Sequence, residues 1–131
     1  MFTLNIQPRF AETDALGHIN NCVLPQWFEQ ARTPIFEIFV PGLDIKHWKL
    51  ILAKIEVEFV AELFYGISVE IRTWIERIGN SSVQVYQEAW QNGKVCAKGR
   101  AVQVHFDHQI KKPQPIPDTI RAQLSQHLYA S

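Results

Sequence analysis

Along this chain the spacing of apolar residues changes from two to about three and a half, then back to two. Phe2, Leu4 and Ile6 alternate with polar neighbours and predict a first strand that ends near Pro8. A polar, turn-rich stretch follows, in which Gly17 lets the backbone turn sharply. From there Leu24, Trp27, Phe28, Ala31, Ile35 and Ile38 fall three and four apart, predicting one helix from Cys22 to Val40. Its start lies near Asn21 or Cys22, because Pro25 is harmless only in a first turn, where its missing N–H has no partner to lose. Asn20 or Asn21 can cap it. Thr33-Pro34 predicts a kink, and Pro41-Gly42 a firm stop.

A less regular connection through Trp48 leads to four strand-like runs: Leu50–Leu63, Ile67–Ile78, Ser82–Gln91 and Lys94–Asp107. In the first, Ile51, Ala53, Ile55, Val57 and Phe59 share one face, with Lys54, Glu56 and Glu58 on the other. Gly79-Asn80 and Asn92-Gly93 supply tight turns. Gly99 marks a bulge or bend. A proline-rich exit leads to a short helix over residues 118–128, capped by Asp118. The long helix would measure roughly 28 Å at 1.5 Å per residue, and its broad apolar stripe needs a sheet of similar span. The pattern therefore predicts an α+β layer arrangement in one domain, residues 1–131, without repeats.

Composition narrows the chemistry by exclusion. Thirteen basic and thirteen acidic residues cancel, so no overall field recruits nucleic acid or an anionic membrane. No apolar run approaches the roughly 20 residues of a membrane span, and the N-terminus lacks the pattern of a signal peptide. Cys22 and Cys96 are spaced neither as a pair nor as metal ligands; they read as small buried residues in a reducing cytoplasm. There is no Gly-x-Ser-x-Gly elbow, no His-Glu-x-x-His and no phosphate-binding glycine motif. His105 and His108 give only a weak metal signal, so no metal or cofactor is expected.

The loop before the helix holds the most suggestive residues. Asp14 lies seven positions upstream of Asn21. A carboxylate folded over a helix start meets free N–H donors, the minimum apparatus for attack on a carbonyl. Asp14 would be nucleophile or base, with a backbone N–H near Asn21 or Cys22 as oxyanion donor; equally, an Asp there can simply stabilise a turn. His18 can orient Asp14, position a substrate or bond a backbone carbonyl. Glu29 and Arg32 read as a helix-surface pair, with Glu29 a second candidate carboxylate. Trp27, Phe28, Phe36, Phe39, Phe59 and Val60 read as core.

The pattern Arg9-x-x-Glu12-Thr13-Asp14-x-x-Gly17-His18-x-Asn20-Asn21, followed by Phe28-Glu29-x-Ala31-Arg32, resembles the opening of hotdog-fold acyl-CoA thioesterases of the 4-hydroxybenzoyl-CoA thioesterase type. The similarity continues through the four-strand half, including the turn Gly79-Asn80-Ser81-Ser82. It implies a hotdog fold, a long central helix wrapped by an antiparallel five-stranded sheet. Asp14, His18 and the N–H of Asn21 would be catalytic, and Gly17, Asn20, Phe59, Val60 and Ser82 would contact substrate. It also implies homodimers joined edge to edge, often paired into homotetramers. Arg72, Arg77, Lys98 and Arg100 are the cations available for coenzyme A phosphates. Where the family often has a tyrosine, three residues past the Asn pair, this chain has Leu24, which changes the pocket's polarity. An acyl-carrier-protein thioesterase, a hydratase and a non-catalytic acyl-binding protein are the competing functions. The hydratase pattern needs a His at the helix start, where Asn21-Cys22 stands.

Overall fold

The computed structural model describes residues 1–130. Strand β1 (Phe2–Ile6) precedes a helix in two segments, α1 (Leu24–Ala31) and α2 (Thr33–Phe39). Strands β2 (Leu50–Phe59), β3 (Val69–Ile78), β4 (Ser82–Gln91) and β5 (Lys94–Asp107) follow, then a two-residue strand β6 (Lys112–Pro113) and helix α3 (Asp118–Ser125). The strands form one antiparallel sheet in the order β1-β3-β4-β5-β2, with β6 added against β5. The predicted five strands are thus joined by a sixth. At the β4–β5 hairpin Asn92 and Gly93 both adopt positive φ, 52° and 74°, as their residue types allow.

The helix lies on one face of the sheet and divides the core in two. Leu24, Trp27, Phe28 and Ala31 of α1 pack on Val69, Ile71, Ala89 and Ala97. Ile35 and Phe39 of α2 pack on Ile75, Val83, Val85 and Ala101, with Leu124 of α3 closing that end. The predicted kink falls at Arg32, and its hydrogen bonds show why it is tolerated. Pro34 has no N–H to give the Gln30 carbonyl, and the Thr33 hydroxyl donates there instead, at 2.7 Å. The Phe28 carbonyl is met from the sheet by the Gln87 Nε2, at 2.9 Å.

Several expectations change. The helix opens with a 3-10 turn, Asn21–Val23, before α1. Cys96 is buried as expected, but Cys22 is exposed, because that opening turn faces outward. Asp118 sits in the first turn of α3 without capping it. Arg32 forms no surface pair with Glu29: it is 4% exposed and reaches into the core. On β2 a bulge between Leu52 and Lys54 shifts the pleat, so Leu50 and Leu52 pair opposite His105 and Gln103 and join Ile55, Val57 and Phe59 on the helix-side face. As an edge strand lying beyond the helix, β2 leaves Ile51, Leu52, Ile55 and Phe59 exposed.

Gly99 marks no bulge. It pairs in register with Gln87 on one side and Val57 on the other. The requirement is for space, since a Cβ there would lie 2.9 Å from Cδ2 and Cε2 of the Phe28 ring. Gly99→Ala is therefore expected to destabilise the fold by about 1–3 kcal/mol through overpacking, read as a lower midpoint in chemical denaturation.

Candidate active site

The loop from Thr13 to Ile19 closes on itself. Asp14 N–H donates to the His18 carbonyl at 2.8 Å, Thr13 and Ile19 form an isolated bridge, and Gly17 turns at φ 81°. Asp14 Oδ1 accepts from the N–H groups of Leu16, at 2.8 Å, and His18, at 3.1 Å. Its turn-stabilising role is therefore real, yet it occupies one oxygen only. Oδ2 accepts no hydrogen bond among the described residues and remains available for chemistry.

Buried Glu12 ties this loop to the helix. Its Oε1 accepts from Arg9 N–H at 2.7 Å and its Oε2 from the Trp27 indole N–H at 2.9 Å, while its carbonyl accepts from Asn20 N–H. Asn20 is the cap, its Oδ1 accepting from Cys22 N–H at 2.9 Å. The N–H of Asn21 has no acceptor among the described residues. Unpaired donors at a helix start carry partial positive charge.

These groups face a cleft of about 1130 Å³ between the loop and the end of β2. Asp14, His18, Asn20, Asn21 and Leu24 line one side, and Phe59, Val60 and Glu62 the other. Phe59 and Val60 are thus not core: they are 52% and 53% exposed, because no described residue covers that end of the edge strand. Gly17 shapes the loop without lining the cleft. Ser82 lies at the opposite end of β4, paired with Val104, so a single chain does not bring it to Asp14. Glu29 lies farther along the helix, in a separate crevice. Arg72 stacks over the Trp90 ring at 4.1 Å and Arg100 pairs with Glu76 at 3.1 Å, on the sheet face away from the helix.

Three residues outside the expected set complete the arrangement. Glu62 Oε2 lies 2.9 Å from His18 Nε2, so the imidazole pairs with a carboxylate across the cleft while only its backbone touches Asp14. The His18 ring also meets Phe64 edge-on, with centroids 5.1 Å apart. Phe64 is in turn fixed by buried Gln91, whose Oε1 accepts from Phe64 N–H and whose Nε2 donates to the carbonyls of Phe64 and Ile67. Gln91 was readable as a polar residue at an inward position of β4; Glu62 gave no comparable signal.

His105 and His108 commit ring nitrogens to backbone carbonyls. The described residues contain no group of three or more His, Cys, Asp or Glu able to hold a metal ion. No helix among them is long and apolar enough to cross a membrane.

Residues 8–124 match the thioesterase-like superfamily. A predicted thioesterase from Bacillus stearothermophilus is 48% identical over 99% of this chain and 98% of its own, with a TM-score of 0.96. A thioesterase from Thermus thermophilus, solved with coenzyme A and zinc, is 28% identical over 94% of this chain and 96% of its own, with a TM-score of 0.84. No curated protein matches significantly. With this match spanning most of its length, and with a helix held in a curled antiparallel sheet, the chain belongs to the thioesterase-like superfamily and has its hotdog fold.

Proposed function

We propose that this protein is an acyl-CoA thioesterase, hydrolysing R–CO–S–CoA to a free acid and coenzyme A. The observation that carries this reading is Asp14: one carboxylate oxygen is held by two backbone N–H groups, and the other accepts no hydrogen bond among the described residues. The residue lines the same cleft as Asn21, whose N–H has no acceptor among them. Acting as base, Oδ2 takes a proton from water as the water oxygen attacks the carbonyl carbon. Acting as nucleophile, Oδ2 attacks first, and water then cleaves the resulting anhydride. Either way the carbonyl oxygen gains charge that the Asn21 N–H and the helix start stabilise, and the C–S bond breaks. In the base route the leaving thiolate takes the proton held by Asp14; in the nucleophilic route it leaves as thiolate and takes a proton from solvent. Single turnover in ¹⁸O-water tests for the anhydride route: label found in Asp14 establishes it, since the base route puts label only in the product acid.

Coenzyme A as carrier is supported by the Thermus thermophilus relative solved with that molecule. Leu24, buried at the cleft wall in place of a tyrosine, makes the acyl side apolar. Two unpaired cysteines fit a cytoplasmic setting. The protein acts as one domain in a homodimer, itself able to pair into a tetramer. The exposed β2 edge, with apolar Ile51, Leu52 and Ile55, is the surface that pairs with its copy and closes the cleft. Ile55→Lys is expected to shift the protein on size-exclusion chromatography to the volume of a single chain.

The test is free-thiol release from short, long and aromatic acyl-CoAs. Turnover of any of them supports the reading. Binding without thiol release, from coenzyme A and carrier-protein thioesters alike, would make the protein an acyl-binding module instead.

A further inference from the structure

Asp14 lies in the loop and Asn21 opens the 3-10 turn of the helix, and Asp14 does not itself join the two. Its carboxylate, N–H and carbonyl all bond within residues 14–18. Glu12 makes the join. Its N–H closes a turn on the Arg9 carbonyl and its Oε1 accepts from Arg9 N–H at 2.7 Å, which fixes the chain entering the loop. Its own carbonyl accepts from Asn20 N–H at 2.8 Å, which fixes the chain leaving it. Its Oε2 accepts at 2.9 Å from the indole N–H of Trp27, on α1 and six positions past Asn21. Glu12 is 8% exposed and Trp27 3% within the single chain, so this contact stands whatever covers the β2 edge. A carboxylate is a costly choice for such a place. The one cation within 4.0 Å among the described residues is Arg9, whose Nε is 3.7 Å away on a side chain 75% exposed. A solvent-screened partner of that kind offsets little of the cost of burial. What a carboxylate does here, and a neutral isostere cannot, is accept at both oxygens from the two donors that face it.

Resting on the thioesterase reading, we infer that Glu12 is a positioning residue for the reaction: its clamp on Arg9 and Trp27 sets where Asp14 lies relative to the Asn21 N–H. Hydrolysis needs the base or nucleophile aimed at the carbon of one C=O group while the donor meets its oxygen. Those two groups sit near opposite ends of the loop, and Glu12 bonds to both ends and to the helix behind them. In Glu12→Gln the side chain keeps its shape, but one oxygen becomes an NH₂ group that meets an N–H donor. Either the Arg9 or the Trp27 bond is then lost, and the loop is released from one of its two supports.

A kinetic cycle on thiol release from the best acyl-CoA substrate tests this, with Glu12→Gln, Trp27→Phe and Asp14→Asn singly and combined. Each variant is first checked for fold by circular dichroism and for size by chromatography. Glu12→Gln is expected to lower kcat by about ten- to a hundredfold, the scale of a misplacement of about one ångström. KM should stay within about threefold of wild type, since the groups lost do not touch substrate. Trp27→Phe deletes the donor and leaves the carboxylate; it should lower kcat in the same sense and add little once Glu12 is replaced. In the Asp14→Asn background Glu12→Gln should cost less than about threefold, because no carboxylate is left to place. A merely structural Glu12 instead lowers the melting temperature while kcat per folded chain stays within about twofold of wild type, and that result overturns the inference. So does a fall in kcat of equal size with and without the Asp14 carboxylate. Should Glu12→Gln not fold, Trp27→Phe with and without Asp14→Asn makes the same comparison. Absence of thiol release from wild type defeats the thioesterase reading and this inference with it; an active wild type with an unmoved Glu12→Gln defeats the inference alone.

Discussion

Asp14→Asn is expected to lower kcat for thiol release by about two to four orders of magnitude, the contribution of a positioned acid–base or nucleophilic group. The substitution is nearly isosteric, and its consequences separate by atom. The amide oxygen of asparagine can still accept from Leu16 and His18 N–H, so the loop keeps the bonds that shape it. What changes is the second oxygen, which becomes an NH₂ group with no basicity and no nucleophilic lone pair. Loop geometry, thermal stability and oligomeric state should accordingly stay close to wild type, and acyl-CoA should still bind. A collapse in kcat with a preserved fold identifies chemistry. A parallel loss of stability, or a fall of less than about fivefold, would leave Asp14 as a turn residue and move attention to Glu62 and His18. Glu62→Gln is the companion: it keeps a hydrogen bond to the His18 ring and removes the charge, so its smaller effect measures what that carboxylate adds.

The sequence made the elements legible because their signals are local. Period-two alternation bounded by Gly79-Asn80 and Asn92-Gly93 predicts β4 and β5 with the limits observed. Pro25 and Pro34 mark the first turn of the helix and its break. The Asp14–Asn21 half of the site was legible for the same reason, lying within one loop. What escaped depends on the third dimension. The bulge in β2 leaves no mark in a run apolar at nearly every second position, yet it decides which residues face the helix. Phe59 and Val60 read as core by composition, and only the sheet order shows them at an edge with nothing over them. Arg32 looked like a surface partner of Glu29 because helix spacing allows it; four positions past buried Phe28 and three before buried Ile35, it lies on the buried side instead. One clue was present and unread. The inward positions of β4 run Val83, Val85, Gln87, Ala89, Gln91, and two glutamines on an otherwise apolar face must each have a buried partner.

Gln87→Ala is expected to cost about 3–5 kcal/mol of folding stability, the range for breaking a buried charged network and leaving its members unpaired. Gln87 is 1% exposed and serves three elements at once. Its Nε2 donates to the Phe28 carbonyl, which the helix break leaves without a helical donor, and to the Thr73 hydroxyl on β3. Its Oε1 holds the Arg32 guanidinium. Truncation strands that carbonyl, removes the side-chain acceptor that a buried cation has among the described residues, and opens a void under the helix. Urea denaturation of the dimer at fixed protein concentration measures the loss, and a double-mutant cycle identifies its source. If Arg32 is the group that most depends on Gln87, Arg32→Met should recover much of the lost stability, and the two substitutions together will cost less than their sum. Strict additivity would assign the loss to the Phe28 carbonyl and the void. A cost under about 1 kcal/mol would mean that water enters at the helix break and satisfies these groups in place of the side chain. The kink would then be hydrated instead of pinned by the sheet, and the crevice floor beneath Arg32 would be wet.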